Sequence, residues 1–111
     1  MNGGNDFLEY ILEQLESLGD IEVKKMFGAF LLKVEGEQLG IVIDDIFYLK
    51  VVDKEIQERY REEGSVQFEY KKKTRKEPVV IKNWWSVPER ALEDRDYLLE
   101  LTDEVLNQKS K

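Results

Sequence analysis

Apolar residues recur at helical spacing near the start of the chain. Leu8, Ile11, Leu12, Leu15 and Leu18 form one stripe. Asp6, with Glu9 three residues later, has the form of a capping box, and Gly19 suits the left-handed position that ends a helix. The pattern predicts an amphipathic helix over Asp6–Leu18. The period then changes from helical to alternating. Val23, Lys25 and Phe27 fall on one side, and Lys24 and Met26 on the other. Beyond Gly28, the residues Phe30, Leu32 and Val34 alternate with Leu31, Lys33 and Glu35. A turn at Glu35-Gly36-Glu37 leads to Leu39, Ile41 and Ile43, and a second at Asp44-Asp45 leads to Phe47, Leu49 and Val51. This is a three-stranded antiparallel meander, its first strand interrupted at Gly28. A glycine inside a strand marks a bend or bulge.

Asp53 is placed to cap a short second helix, with Ile56 and Tyr60 inward and a Glu55–Arg59 pair outside. Gly64 ends it. Val66, Phe68 and Tyr70 read as a fourth strand, and Val79, Val80 and Ile81 as a fifth. Ser86 and Glu89 have capping-box spacing around Pro88, and Asp94 starts a last helix with Leu98, Leu101, Val105 and Leu106 inward. Residues from Asn107 onward are expected to fray. The predicted order is α-β-β-β-α-β-β-α, a single domain over 1–111 with an ordered core over about 6–107. Its expected core is Phe27, Leu32, Ile41, Ile43, Leu49, Phe68 and Ile81, covered by Ile11 and Leu15.

Composition narrows the chemistry. The chain has 111 residues, 41% of them hydrophobic, enough for a core without a disulfide or metal. With no cysteine and no histidine, it lacks a thiol nucleophile, a thiolate zinc site, and the commonest general base and metal ligand. No stretch reaches the roughly 20 apolar residues of a membrane helix. The first six residues, MNGGND, lack the basic start and apolar core of a signal peptide, so the expected location is cytoplasmic. No catalytic residue, cofactor or metal is expected.

Three places invite a functional reading. Met26-Phe27-Gly28-Ala29 is either a recognition loop or a bent strand with Met26 and Phe27 packed on opposite faces. Trp84 and Trp85 are adjacent, so a strand sends their rings to opposite sides; one joins the core and the other packs under a helix or enters an interface. Lys71, Lys72, Lys73, Arg75 and Lys76 put five basic residues in six positions. Because the chain carries −7, the remainder carries −12. The run is either a nucleic-acid contact, which the acidic remainder opposes, or a solvated hairpin tip. The carboxylate pairs Asp44-Asp45 and Glu93-Asp94 fall where a turn and a cap already require them.

An ordered set of short motifs goes further. It comprises Met26-Phe27-Gly28, the Asp44-Asp45 turn, Tyr48-Leu49-Lys50, the Phe68-x-Tyr70 strand, and Trp84-Trp85-x-x-Pro88 running into Leu92-Glu93-Asp94. From about Phe7 to about Leu106 the chain resembles the TfoX/Sxy N-terminal domain family. It departs mildly, with Ala29 where the family has glycine and tryptophan at positions 84 and 85 where tyrosine is common. The resemblance implies an α+β fold of the secretion-chaperone-like type, one antiparallel sheet of about five strands with three helices. It also implies kinship to bacterial competence regulators, which help the cyclic-AMP receptor protein activate DNA-uptake genes. Those regulators carry a second, helical domain, for which this chain has no room, so a stand-alone first domain is expected. The reading is a non-catalytic regulatory or protein-interaction domain with a protein partner, a candidate homodimer with a tryptophan as anchor. The alternatives are nucleic-acid binding through 71–76 and small-molecule binding.

Overall fold

The computed structural model describes residues 3–26, 29–70 and 79–108. Among these residues it has an α+β architecture, with four helices and one antiparallel sheet of six strands. In chain order come α1 (Gly3–Gln14), a 3-10 turn (Glu16–Leu18), β1 (Ile21–Met26), β2 (Ala29–Val34), β3 (Glu37–Ile43) and β4 (Ile46–Lys50). Then follow α2 (Lys54–Glu62), β5 (Gln67–Tyr70), β6 (Val79–Ser86), α3 (Glu89–Leu92) and α4 (Arg95–Asn107). The sheet order is β1-β2-β3-β4-β6-β5.

The expected class of fold holds, while its strand count rises. The sequence around Gly28 reads as one bent strand. Instead β1 and β2 are antiparallel neighbours, with Met26 opposite Ala29, so the chain reverses between those two residues. Alternation looks the same along a bent strand and across a tight hairpin, so the pattern could not separate them. Phe27 and Gly28 lie outside the described residues. The next two reversals are two-residue turns with positive φ at both positions: Glu35 and Gly36 (52° and 82°), then Asp44 and Asp45 (53° and 61°). That conformation matches the twist of the flanking strands, and aspartate tolerates it better than most residues.

Helix termini follow the sequence in part. Asp53 caps α2, its Oδ1 accepting from the backbone N–H groups of Glu55 (2.9 Å) and Ile56 (3.2 Å). Asp94 caps α4 by accepting from Tyr97 N–H at 3.2 Å. Asp6 is no cap, because α1 already begins at Gly3, and the predicted single helix breaks after Gln14 into the 3-10 turn. Ser86 is no cap either. It closes β6, and its hydroxyl accepts from Val66 N–H at 3.0 Å. The chain beyond α4 is tied down at Gln108, whose amide accepts from Val52 and Asp53 N–H and donates to the Lys50 carbonyl. The clasp orders Asn107 and Gln108, and residues 109–111, where the rest of the expected fraying falls, lie outside the described residues.

One face of the sheet carries the helices and the main core. Leu32, Leu39, Val42, Phe47, Leu49, Val51 and Trp85 pack there against Ile11, Leu15, Tyr60, Leu98, Leu101 and Val105. Ile41 and Ile43 are not in this core; they are half-buried on the opposite face. The cause is a bulge. Leu32 pairs with Gly40 but Lys33 pairs with Gln38, which leaves Leu39 as an extra residue in β3. One extra residue inverts the alternation that follows, so Val42 enters the core beside its partner Phe47. Phe68 also lies on the far face, edge-on to Tyr48 with ring centroids 5.1 Å apart. The side chains of Phe27 and Ile81 lie outside the described residues.

Beside the bulge, β3 lies too close to β4 for a side chain. A Cβ on Gly40 would stand 2.2 Å from the Tyr48 carbonyl oxygen and 3.0 Å from Phe47 Cε1. Gly40→Ala is therefore expected to destabilise by about 1–3 kcal/mol through overpacking. A denaturation midpoint equal to wild type would show that the backbone yields there. Leu49→Ala, at a fully buried position, is expected to cost about 2–5 kcal/mol. Ile41→Ala should cost clearly less in the same titration, and equal losses would put Ile41 in the core after all.

Candidate interaction surface

The two tryptophans part company. In register, Trp85 stands opposite Leu49 and Trp84 opposite Lys50. Trp85 is 3% exposed and belongs to the core, with the Arg61 guanidinium 5.3 Å from its ring centroid. Trp84 is half-buried on the helix-free face. Met26 ends β1, far along the sheet from both, since β1 is one edge and β6 adjoins the other. Phe27 and the basic residues Lys71, Lys72, Lys73, Arg75 and Lys76 lie outside the described residues. The candidates therefore do not assemble into one site among the described residues.

A different set of side chains does converge, where α2, α3 and α4 meet. The Arg90 guanidinium donates twice to Glu63, from Nε to Oε1 at 2.9 Å and from Nη2 to Oε2 at 2.8 Å. The Tyr97 hydroxyl donates to the same Glu63 Oε2 at 2.7 Å, and the Arg90 guanidinium lies 4.1 Å from the Tyr97 ring centroid. These hydrogen bonds, first from Arg90 and then from Tyr97, hold the Glu63 carboxyl down at about 2. A second ion pair, Arg59–Glu104 at 2.7 Å, joins α2 to α4 and takes Arg59 away from the expected Glu55. Beside them Arg59, Tyr60, Glu63, Arg90, Tyr97 and Leu101 line a cavity of about 300 Å³. Burial, its main cause, and the neighbouring Glu104 raise the pKa of the Tyr60 hydroxyl, so it stays protonated.

Glu63 of this clamp also lines a wider groove at the end of the sheet, about 460 Å³ in volume. Ile46, Val66 and Leu92 give it apolar walls, Val87 and Pro88 its floor, and Glu63 and Glu89 acidic margins. Ile46 is 41% exposed and Val66 60%, high values for large apolar residues. Their backbone is fixed. Ser86 N–H donates to the Val66 carbonyl at 2.9 Å, and Val87 N–H to the Phe47 carbonyl at 2.9 Å. The Ser65 hydroxyl at its side is buried without a hydrogen-bond partner. Sequence reading missed this groove, because its walls come from four separate stretches. The signal available was Val66, an apolar residue between Gly64-Ser65 and a strand.

Among the described residues no three acidic, histidine or cysteine side chains cluster closely enough to hold a metal ion. Among them, too, no helix is long and apolar enough to cross a membrane.

Acid should expose the clamp's contribution. Because the folded-state pKa of Glu63 lies below its ordinary value of 4.5, its stabilisation is fully present above that value and is lost as pH falls through about 2. Glu63→Gln should therefore flatten the melting temperature against pH in that window. An unchanged acid slope would mean that the clamp does not persist in solution.

The family model for the TfoX N-terminal domain matches residues 13–108. No curated protein matches the chain significantly.

Proposed function

The chain belongs to the TfoX N-terminal domain family, and we propose that it serves as a non-catalytic interaction domain in transcriptional regulation in the cytoplasm, using the groove at the end of its sheet to hold a protein partner. The observation that carries this reading is the pair of exposed aliphatic side chains, Ile46 and Val66, on a fixed backbone. Exposed apolar surface rimmed by polar residues is the usual mark of a protein-binding site. A preformed groove also spares a partner the entropy of ordering loops. The absence of cysteine and histidine from the sequence supports a role without nucleophilic or imidazole chemistry.

The margins shape what would bind. Glu89 adds negative charge, and Arg90 is already engaged by Glu63. An aliphatic segment flanked by lysine or arginine fits such a groove better than an acidic one. Nucleic-acid binding through Lys71, Lys72, Lys73, Arg75 and Lys76 is a second reading, favoured by that run's charge alone.

Ile46→Asp tests the groove. The variant should keep the wild-type melting temperature within a few degrees, because Ile46 is exposed and at a strand end. It should lose a partner that the wild type recovers from its source cell. Equal recovery by both proteins would remove the groove from the interaction. Duplex DNA retained by the wild type at low salt, and released when Lys72, Lys73 and Arg75 become Glu, would instead establish the second reading.

A further inference from the structure

We propose that two copies of this chain pair through β5, antiparallel about a twofold axis at Phe68, to make one sheet continuous across both copies. Among the described residues β5 pairs only with β6, at the edge of the sheet. The backbone fixes which of its groups are free. The Val66 carbonyl accepts from Ser86 N–H at 2.9 Å and Val66 N–H donates to the Ser86 hydroxyl at 3.0 Å, so residue 66 turns both groups toward β6. Strand alternation then turns the N–H and C=O of Gln67 and Glu69 outward. An axis at Phe68 sets Gln67 of one copy opposite Glu69 of the other, twice. Two outward residues meeting two outward residues close a ladder of four backbone hydrogen bonds. Directly opposite residues in an antiparallel pair share a face, so the register must be centred on a residue. Centring on Glu69 would oppose two carboxylates, whereas centring on Phe68 opposes two aromatic rings.

The side chains agree with that register. Phe68 is half-buried, its ring already fixed against Tyr48, and the second copy's Phe68 would cover what remains exposed. The other edge, β1, is less suited. It exposes Glu22, Lys24 and Lys25, which put lysine on both faces, a device that keeps edges from pairing.

Sedimentation across a dilution series from micromolar concentration tests this on the full chain. The wild type should be a dimer. Gln67→Pro removes an outward N–H and leaves the β5–β6 ladder intact, so it should yield a monomer with wild-type circular dichroism. Should that variant misfold, two milder ones decide. Gln67→Lys, facing Glu69 of the second copy, should tighten the dimer, and Gln67→Glu should loosen it. Each effect should be about 2- to 30-fold, since symmetry counts each pair twice. A wild type that stays monomeric throughout would overturn the proposal. So would a dimer whose dissociation is unmoved by the Gln67→Lys and Gln67→Glu variants, which would place the interface elsewhere. The edge rests on Gln67 and Glu69 and the groove on Ile46, so either can fail alone.

Discussion

The close approach of β3 to β4 at Gly40 is the constraint around which the sheet is arranged. A side chain there would collide with the Tyr48 carbonyl and the Phe47 ring. With only hydrogen at Gly40, β3 can hold an extra residue at Leu39 and still keep its pairing with β4. The extra residue brings Leu39 and Val42 onto the helix side, although they are an odd number of positions apart. Phe47 and Leu49 complete that layer, and α1 and α4 close over it. Removing the bulge would send Val42 out and Ile41 in, and the helices would meet a surface of different shape.

A second irregularity lets one strand serve two neighbours. Phe68 pairs with Ile81 while the preceding residue, Gln67, pairs with Trp85, so β6 carries extra residues between these pairings. Asn83 lies among them with φ of 77°, a conformation asparagine accepts more readily than most residues. Its carbonyl accepts from Val51 N–H at 2.6 Å, and its side chain accepts from Gln57 at 3.3 Å. The kink thus ties β6 to the start of α2. Beyond it, Trp84–Ser86 are aligned with β4, which sends Trp85 inward and Trp84 outward. The same alignment brings Ser86 to Val66 and so builds the wall of the groove.

The helices are joined to each other by charge as well as by apolar contact. Glu63, at the end of α2, receives Arg90 of α3 and Tyr97 of α4, and Arg59 reaches Glu104. Exposed ion pairs contribute little singly. Their value here is geometric: a bidentate guanidinium and a phenol fix the angle at which three helix segments meet.

Much of this was legible in one dimension. The helical stripe of α1, the caps Asp53 and Asp94, the Asp44-Asp45 turn and the inner stripe of α4 are local properties. Each follows from spacing or from a side chain reaching its own backbone. The ordered motifs likewise pointed to the family. What the sequence left open depends on residues distant along the chain. Alternation through Gly28 fits a bend as well as a reversal, and only pairing with β2 distinguishes them. The inward face of β3 depends on a bulge that appears only where β3 pairs with β2. Arg59 chose Glu104 over Glu55 because packing brought α4 within reach. The groove belongs wholly to the tertiary structure. Ile46, Ser65, Val87 and Leu92 are unremarkable in sequence, and they become a surface only where the ends of three strands and a helix are brought together.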